Sequence, residues 1–340
     1  GQPTETLPYV PGFTPEDKDG NPLKPVDPQD PTKGYVVPNI PTDPSQDTVI
    51  NYVANKANLV VKYVDEKGKD LIPSETTEGK VGDEYTTTGK VIPGHLLVRV
   101  DGDAKGKIGT DGSTITYVYK PIGSWIPNIP GQPTTPIKYP NNPDDPTKPG
   151  TPTTTIPYVP GTTPKDPNGN PLKPVDPNDP SKGYVPPTPE NPTEDTQITY
   201  EKDTQKAKVT YVVEGTGTVL HTDNLEGKSG EPIEYSTVAK LAELKALGYD
   251  LVSDGFTTAT DKNYDKDTKV DQSFVVTVKP HVEPIKPVDP ENPNDPNKPK
   301  PGDPIDPKNP DGPKWTEDLI KKIDTTRHVN RTIKYVNEKG

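Results

Sequence analysis

The stretch LVVKYVDEKG, residues 59–68, is rich in β-branched and aromatic residues and ends in a turn sequence. Such a run is typical of a half-buried strand followed by a reverse turn. The run KVTYVV at 208–213 follows the same plan, and KYVNEKG at 334–340 begins a third copy. The sequence therefore predicts a tandem array of small units rich in β-structure.

Proline separates these units from the rest of the chain. The 340 residues include 48 prolines, but within 53–118 and 205–279 we find only Pro73, Pro93 and Pro232. Only 27% of the residues are hydrophobic, well below the roughly 45–50% apolar usage of globular domains. We therefore expect two compact domains embedded in proline-rich connectors rather than one large core.

The connectors repeat a phrase. DGNPLKPVDPQDPTKGY at 19–35 returns as NGNPLKPVDPNDPSKGY at 168–184, with prolines at every third position. Polyproline II has three residues per turn, so this spacing predicts stiff, extended spacers. A disordered linker is the alternative. The sequences DGNP and NGNP favour reverse turns. The stretch DKDGN at 17–21 and, more weakly, DPNGN at 166–170 carry oxygen ligands that suit calcium, although neither has the register of an EF-hand, and reverse turns are the favoured interpretation.

Each unit contains the signals of a β-grasp domain. Strong strands are expected at 114–119 in the first unit and at 274–278 in the second. The second unit has additional residues for a helix that begins after Ser236 or Thr237 and ends at Gly248. Its predicted apolar stripe comprises Val238, Leu241, Ala242, Leu244 and Leu247. The predicted fold class is α+β, mainly β: tandem ubiquitin-like β-grasp domains joined by extended proline-rich linkers, elongated overall.

We divide the chain on this basis into six segments. A short helix capped by Thr316 is expected near the start of the last segment. The segments are a proline-rich linker at 1–46, a first β-grasp domain at 47–120, a proline-rich linker at 121–195, a second β-grasp domain with one helix at 196–280, a polyproline-II-like linker at 281–314, and a truncated further repeat at 315–340.

Composition excludes several functions. The formal net charge is −12 without a basic stripe, which disfavours nucleic acid and anionic membranes as partners. The absence of cysteine removes disulfides and thiolate chemistry. Four scattered histidines and unpaired acidic residues suggest no catalytic or metal site. We expect no enzyme activity, no cofactor and no membrane insertion, and signal and anchor sequences are expected outside this fragment.

Two aromatic residues are candidates for contact with sugars, because a flat ring can stack on a pyranose. Tyr117 shares one side of a predicted strand with Tyr119, and Trp125 lies in a predicted linker. The alternative for Tyr117 is packing in the domain core.

Several ordered runs resemble a known family. VVKYVDEKGKDLIPSETTEGKVGDEY, closing with TITYVYK, resembles the MucBP domain of Gram-positive surface adhesins. KAKVTYVVEGTGTVLHTDNLEGKSGEPIEY, followed by GYDLVSDGF, is similar to the mucus-binding (Mub) repeat of lactobacillar adhesins. The resemblance implies a monomeric repeat on the bacterial cell wall that binds mucin glycoproteins and glycans weakly and multivalently. A stalk that projects a distal binding head, or an immunoglobulin-binding module, are the alternatives.

Overall fold

The computed structural model describes residues 4–282, 284, 292 and 294–323. The described chain divides into two compact units. One comprises residues 4–158 and 164–200, and the other comprises 159–163 and the described part of 201–323. The predicted third copy at 334–340 lies outside the described residues.

The first unit contains a mixed four-stranded sheet. Its strands are Lys56–Asp65, Asp70–Lys80, His95–Asp101 and Ser113–Pro121. The first and last strands are parallel neighbours at the centre, and each pairs antiparallel with one outer strand. A separate two-stranded sheet pairs Glu84–Thr86 with Lys105–Lys107. This order confirms the predicted β-grasp topology.

The tyrosines of the central strands form the first core. Val61, Tyr63 and Tyr117 are buried on one face, as the two-residue period of a strand requires. The rings of Tyr63 and Tyr117 stack with their centroids 5.7 Å apart. The hydroxyl of Tyr117 lies 2.8 Å from that of Thr87, and Tyr119 donates to the Lys90 carbonyl at 2.7 Å. Each buried ring thus keeps its polar tip hydrogen-bonded.

The second unit repeats the topology and adds a helix. Its strands are Thr204–Val213, Val219–Lys228, Tyr249–Asp254 and Gln272–Pro280. The central pair is again parallel. The helix spans Val238–Ala246 and contributes Leu244 to a core that includes Val209, Tyr211 and Phe274.

The helix differs in detail from its predicted form. Val238 is 74% exposed and Leu247 67% exposed, so the core uses a narrower stripe than predicted. Thr237 makes no capping bond and donates its hydroxyl to Asp254 at 2.5 Å, while Ser236 Oγ accepts from the Val238 amide at 3.3 Å. Gly248 has a φ of +92°, which confirms the predicted glycine after the helix.

The proline-rich segments contain secondary structure, contrary to the predicted extended linkers. Residues 121–195, predicted as a linker, contribute strands to a four-stranded sheet and bury Trp125, Tyr139 and Ile156. The sheet has the order Ile137–Lys138, Ser124–Asn128, Thr196–Lys202 and Thr162–Lys165. The remaining elements are the strands Thr6–Leu7, Phe13–Glu16, Tyr35–Val36 and Asn51–Ala54, the 3-10 turns Pro31–Lys33 and Pro180–Lys182, and the helix Glu317–Ile323.

The three-residue period of proline has a local cause. In the sequence Asp176-Pro-Asn-Asp179-Pro, Asp176 accepts the Asn178 amide on Oδ1 at 3.0 Å and the Asp179 amide on its carbonyl at 3.0 Å. Asp179 repeats both bonds with Ser181 and Lys182. Proline suits the second position of such turns because its ring fixes the φ angle that this position requires. Matching pairs of turns begin at Asp27, Asn142 and Asn292, and a turn of the same kind begins at Asp306.

Tandem Asx turns therefore occupy these phrases, where the sequence predicted polyproline II rods. The predicted rod at 281–314 lies partly outside the described residues. Its described part includes the bridge between Pro304 and Lys314. The short helix at 317–323 is present as predicted, with the Leu319 amide donating to Thr316 Oγ at 3.2 Å.

Candidate binding surface

The two aromatic candidates from the sequence are buried. Tyr117 and Trp125 are each 2% exposed, so neither presents a ring face to a sugar in this structure. The Trp125 indole donates to the Pro187 carbonyl at 2.8 Å. Its ring meets the edge of Tyr139 with centroids 4.6 Å apart. Trp125 is a packing residue because the predicted linker around it is folded.

An exposed carboxylate borders the tyrosine core of the first domain. Glu75 is the strand partner of Val61, so its side chain projects from the same face of the sheet as the core residue Val61. It pairs with Lys90, whose ammonium lies 5.0 Å from the centroid of the Tyr63 ring. The hydrogen bond that Lys90 donates to the Glu75 carboxylate raises the pKa of Lys90 above its ordinary value. Both side chains remain about half exposed.

The second domain places a carboxylate at the equivalent register. Asp223 is the strand partner of Val209, as Glu75 is of Val61. The Tyr235 hydroxyl donates to Asp223 Oδ2 at 2.5 Å, and His221 Nε2 lies 2.8 Å from Oδ1. The hydrogen bond from Tyr235, together with the contact to His221, lowers the pKa of Asp223. The carboxylate is therefore held in place and ionised, while 34% of its side chain stays exposed.

Tyrosine hydroxyls anchor this second cluster to the core. The Tyr235 hydroxyl lies 2.7 Å from that of Tyr211, which is fully buried. Burial is the first cause that raises the pKa of Tyr235, and its bond to Asp223 adds to it. The two phenols stay protonated around neutral pH and can serve as donors.

The equivalence of the two carboxylates was missed by sequence reasoning. A signal was present, because Glu75 and Asp223 each lie on the second strand of their repeat, opposite valines that occupy matching positions. A carboxylate held by neighbours has lone pairs to accept hydrogen bonds from ligand hydroxyls. Each surface therefore offers hydrogen-bond acceptors to a ligand that carries hydroxyl groups.

A separate cleft of about 240 Å³ lies in the proline-rich part of the first unit. Its lining combines carboxylates with proline rings and includes no lysine or arginine. Asn168 donates to Glu190 at 3.0 Å, and Asp195 accepts the Ser124 amide at 2.9 Å. The negative charge of these carboxylates disfavours anionic ligands in the cleft. The four acidic residues of the lining are Asp166, Glu190, Glu194 and Asp195.

The turn sequences with calcium-like composition act as turns. Asp17 Oδ1 accepts the amides of Asp19 and Asn21 at 2.9 and 3.0 Å, and Asp166 does the same with Asn168 and Asn170. Among the described residues, no group of three or more histidine, aspartate or glutamate side chains is arranged to hold a metal ion. No helix in the described part of the chain is long and apolar enough to cross a membrane.

Comparison with known proteins identifies both domains. Residues 58–120 match the model of the MucBP domain, and residues 205–280 match a second model described as a mucin binding domain. Two segments of this chain, one in each compact unit, are therefore similar to domains of these families.

The relatives match over short stretches. Internalin J of Listeria monocytogenes serotype 4b is 48% identical over 61 residues, which are 18% of this chain and 7% of internalin J. Muramidase-released protein of Streptococcus suis is 41% identical over 114 residues, or 30% of this chain and 9% of that protein. The chain thus spans less than a tenth of the length of these curated relatives.

Solved structures of mucus-binding repeats are also similar. The type 2 repeat of the mucus binding protein MUB from Lactobacillus reuteri is 34% identical, with 23% of this chain and 41% of the repeat covered and a TM-score of 0.22. Mub-RV gives 34% identity, coverage of 22% and 39%, and a TM-score of 0.20.

Proposed function

We propose that this chain is part of a bacterial cell-surface adhesin and that its two MucBP-family domains bind mucin glycans weakly and multivalently. The observation that carries this proposal is the tandem presence of two mucin-binding-family domains. The matched models describe binding domains rather than enzymes, which agrees with a role without catalysis.

The equivalent carboxylates support a location for the contact between each domain and a glycan. Glu75 and Asp223 occupy the same register in the two sheets and both are accessible. Sugar hydroxyls donate to carboxylates, and hydrogen bonds to charged groups are stronger than those between neutral groups. We therefore assign glycan contact to these two surfaces.

Weak single contacts are expected from this arrangement. Both carboxylates lie on partly exposed strand surfaces, with about half of the Glu75 side chain and 34% of the Asp223 side chain accessible. Tandem domains convert the second contact into an intramolecular event, so avidity exceeds the affinity of either domain. Glycoproteins with many sugar chains suit this mode of binding.

Binding to immobilised mucin tests the proposal. Residues 1–340 are displayed at high density on beads and applied to mucin with and without enzymatic removal of its glycans. The proposal predicts retention that falls when the glycans are removed. Retention that survives deglycosylation would point to a protein ligand, such as an immunoglobulin in the preparation. Complete absence of retention would favour a stalk role for these domains.

A further inference from the structure

The two proline phrases have nearly the same fold but different surroundings. We call residues 15–52 the first proline module and 164–200 the second proline module. Both contain a turn held by an aspartate, a 3-10 turn and a buried tyrosine before the final strand. The sequence DTVINY at 47–52 matches DTQITY at 195–200. Equivalent residues of this final stretch differ in number by 148.

The second proline module has a strand docked on this stretch. Ser124–Asn128 pairs in parallel with residues 196–199, with Trp125 opposite Thr196. Three side-chain bonds fix the docked segment: Asp195 accepts the Ser124 amide, Pro187 accepts the Trp125 indole, and the Tyr139 hydroxyl lies 2.5 Å from Thr196 Oγ. Ile198 is fully buried beneath it.

The first proline module presents the same stretch without that strand. Its strand starts at Asn51 and pairs only with Phe13–Glu16 in the described chain. Thr48, the equivalent of the buried Thr196, is exposed. Val49 is 62% exposed, and nearby Ile40 is 58% exposed.

The difference in strand length has a direct physical reason. In the second proline module the strand begins at Thr196, which is equivalent to Thr48, and both strands end at equivalent residues. Residues 196–198 pair with the docked strand, whereas no strand of the described chain pairs with the equivalent residues 48–50. An exposed edge of this kind is a ready template for pairing with another strand.

We propose that residues 47–50 form a docking site for the extension that follows a MucBP domain of another chain or repeat, a segment of the type seen at 121–139. The second proline module supplies the argument for this occupant. The acceptor Asp195 and the hydroxyl of Thr196, which hold the extension there, are retained as Asp47 and Thr48. The extension enters as a parallel strand with its tryptophan opposite Thr48.

This docking would join one repeat to the next. In the second proline module the docked strand begins three residues after the last strand of the first MucBP domain ends. The contact therefore fixes a proline module to the domain that precedes it in sequence. Docking at 47–50 gives the first proline module the same kind of partner.

A synthetic peptide tests the proposal. The peptide spans residues 121–139, and the matched control carries Trp125→Ala. Both are titrated against the full chain by fluorescence anisotropy, and hydrogen exchange locates the contact. We expect slower exchange at residues 48–50, and at least about tenfold weaker binding of the control, because buried tryptophans often dominate interface energetics. Equal binding of the two peptides, or protection that excludes 48–50, would overturn the proposal.

A register-specific crosslink gives an independent readout. The chain has no cysteine, so Val49→Cys adds a single thiol. A peptide with Ile126→Cys, activated as a mixed disulfide with thionitrobenzoate, loses thionitrobenzoate when the protein thiolate attacks. In the proposed register Ile126 lies opposite Val49, as it lies opposite Gln197. We expect reaction at least about tenfold faster than with Val26→Cys, a comparably accessible control. Equal rates would contradict the docking.

Discussion

Trp125 and Thr196 lie opposite each other in parallel strands. Beside them, the Ser124 amide donates to Asp195, which lies 71 residues further along the chain. This pairing turns a predicted linker into part of a folded unit. The indole is 2% exposed, and its N–H is bonded to the Pro187 carbonyl. Trp125 thus contributes both buried area and one specific hydrogen bond.

Trp125→Ala should destabilise the first unit. Truncating a buried tryptophan removes its apolar contacts and leaves a cavity, for a loss of about 3–5 kcal/mol in the free energy of unfolding. Trp125→Phe should cost less than Trp125→Ala, because phenylalanine retains a buried ring. It still destabilises the unit, because the Pro187 carbonyl loses its hydrogen-bond donor. Denaturant titration followed by hydrogen exchange at residues 196–199 measures both. An unchanged stability for Trp125→Ala would show that the strand is not docked in solution.

The Asx turns make a different prediction from a polyproline II rod. Asp179→Ala removes the acceptor for the Ser181 amide, and the loss of such a cap costs about 1 kcal/mol. Asn178→Ala is the matched control, because the backbone amide of Asn178 donates to Asp176 while its side chain makes no hydrogen bond within the described part of the chain. Local hydrogen exchange at residues 181–183 measures the effect. A rod would respond equally to the two substitutions, and that outcome would contradict the turns.

Sequence patterns predicted individual strands and the helix because strand and helix periodicities are local. The run at 59–64 predicted a strand, and Gly248 predicted the end of the helix; the structure shows in addition that Val61 and Tyr63 of that strand lie in the core. Hydrophobic periodicity and glycine conformation operate over a few residues. These features can therefore be read from one sequence.

The proline segments were misread because one period fits two structures. Proline at every third position suits a three-residue helix, and it also suits turns that restart every three residues. The distinguishing signal is the aspartate or asparagine directly before the proline. Its side chain accepts a hydrogen bond from the backbone amide two residues further along the chain. Burial of Trp125 depended on a partner about 70 residues away, which local patterns do not specify.

The hydrogen bond between Tyr235 and Asp223 predicts a pH dependence. The folded state lowers the pKa of Asp223 below its usual 3.8. Its contribution to stability is therefore present above about pH 4 and is lost as the pH falls through the folded-state pKa. Tyr235→Phe should raise that pKa and reduce stability near neutral pH by about 1 kcal/mol.

The deficit of Tyr235→Phe should shrink in acid, where Asp223 is protonated in both proteins. Unfolding curves at about pH 7 and about pH 2 compare the two. Tyr249→Phe serves as the control, since Tyr249 packs on the same core and its hydroxyl makes no hydrogen bond to any described residue. A deficit that stays constant with pH would mean that Tyr235 contributes through packing alone.

The proposed glycan surfaces predict a loss of mucin binding. The double variant Glu75→Gln, Asp223→Asn keeps side-chain size but removes both charges. We expect retention on mucin to fall by at least about tenfold, because hydrogen bonds to charged groups contribute about 1.5–3 kcal/mol each. Thermal unfolding checks that both domains stay folded.

The matched control for those surfaces is Glu78→Gln with Glu226→Gln. Glu78 and Glu226 lie three residues further along the same strands, so they point to the opposite sheet face. This control removes the same charge and should retain mucin binding. A similar loss for both double variants would indicate a general charge effect, and the assignment to Glu75 and Asp223 would be wrong.

A glycan array tests the central functional claim most directly. The full chain, displayed multivalently, is applied to mucin-type glycans and to the unmodified array surface, with the Glu75→Gln, Asp223→Asn variant beside it. The account predicts binding to a subset of mucin-type glycans that the variant loses. Signal no higher than on the bare surface for every glycan, from a folded and multivalent protein, would contradict it.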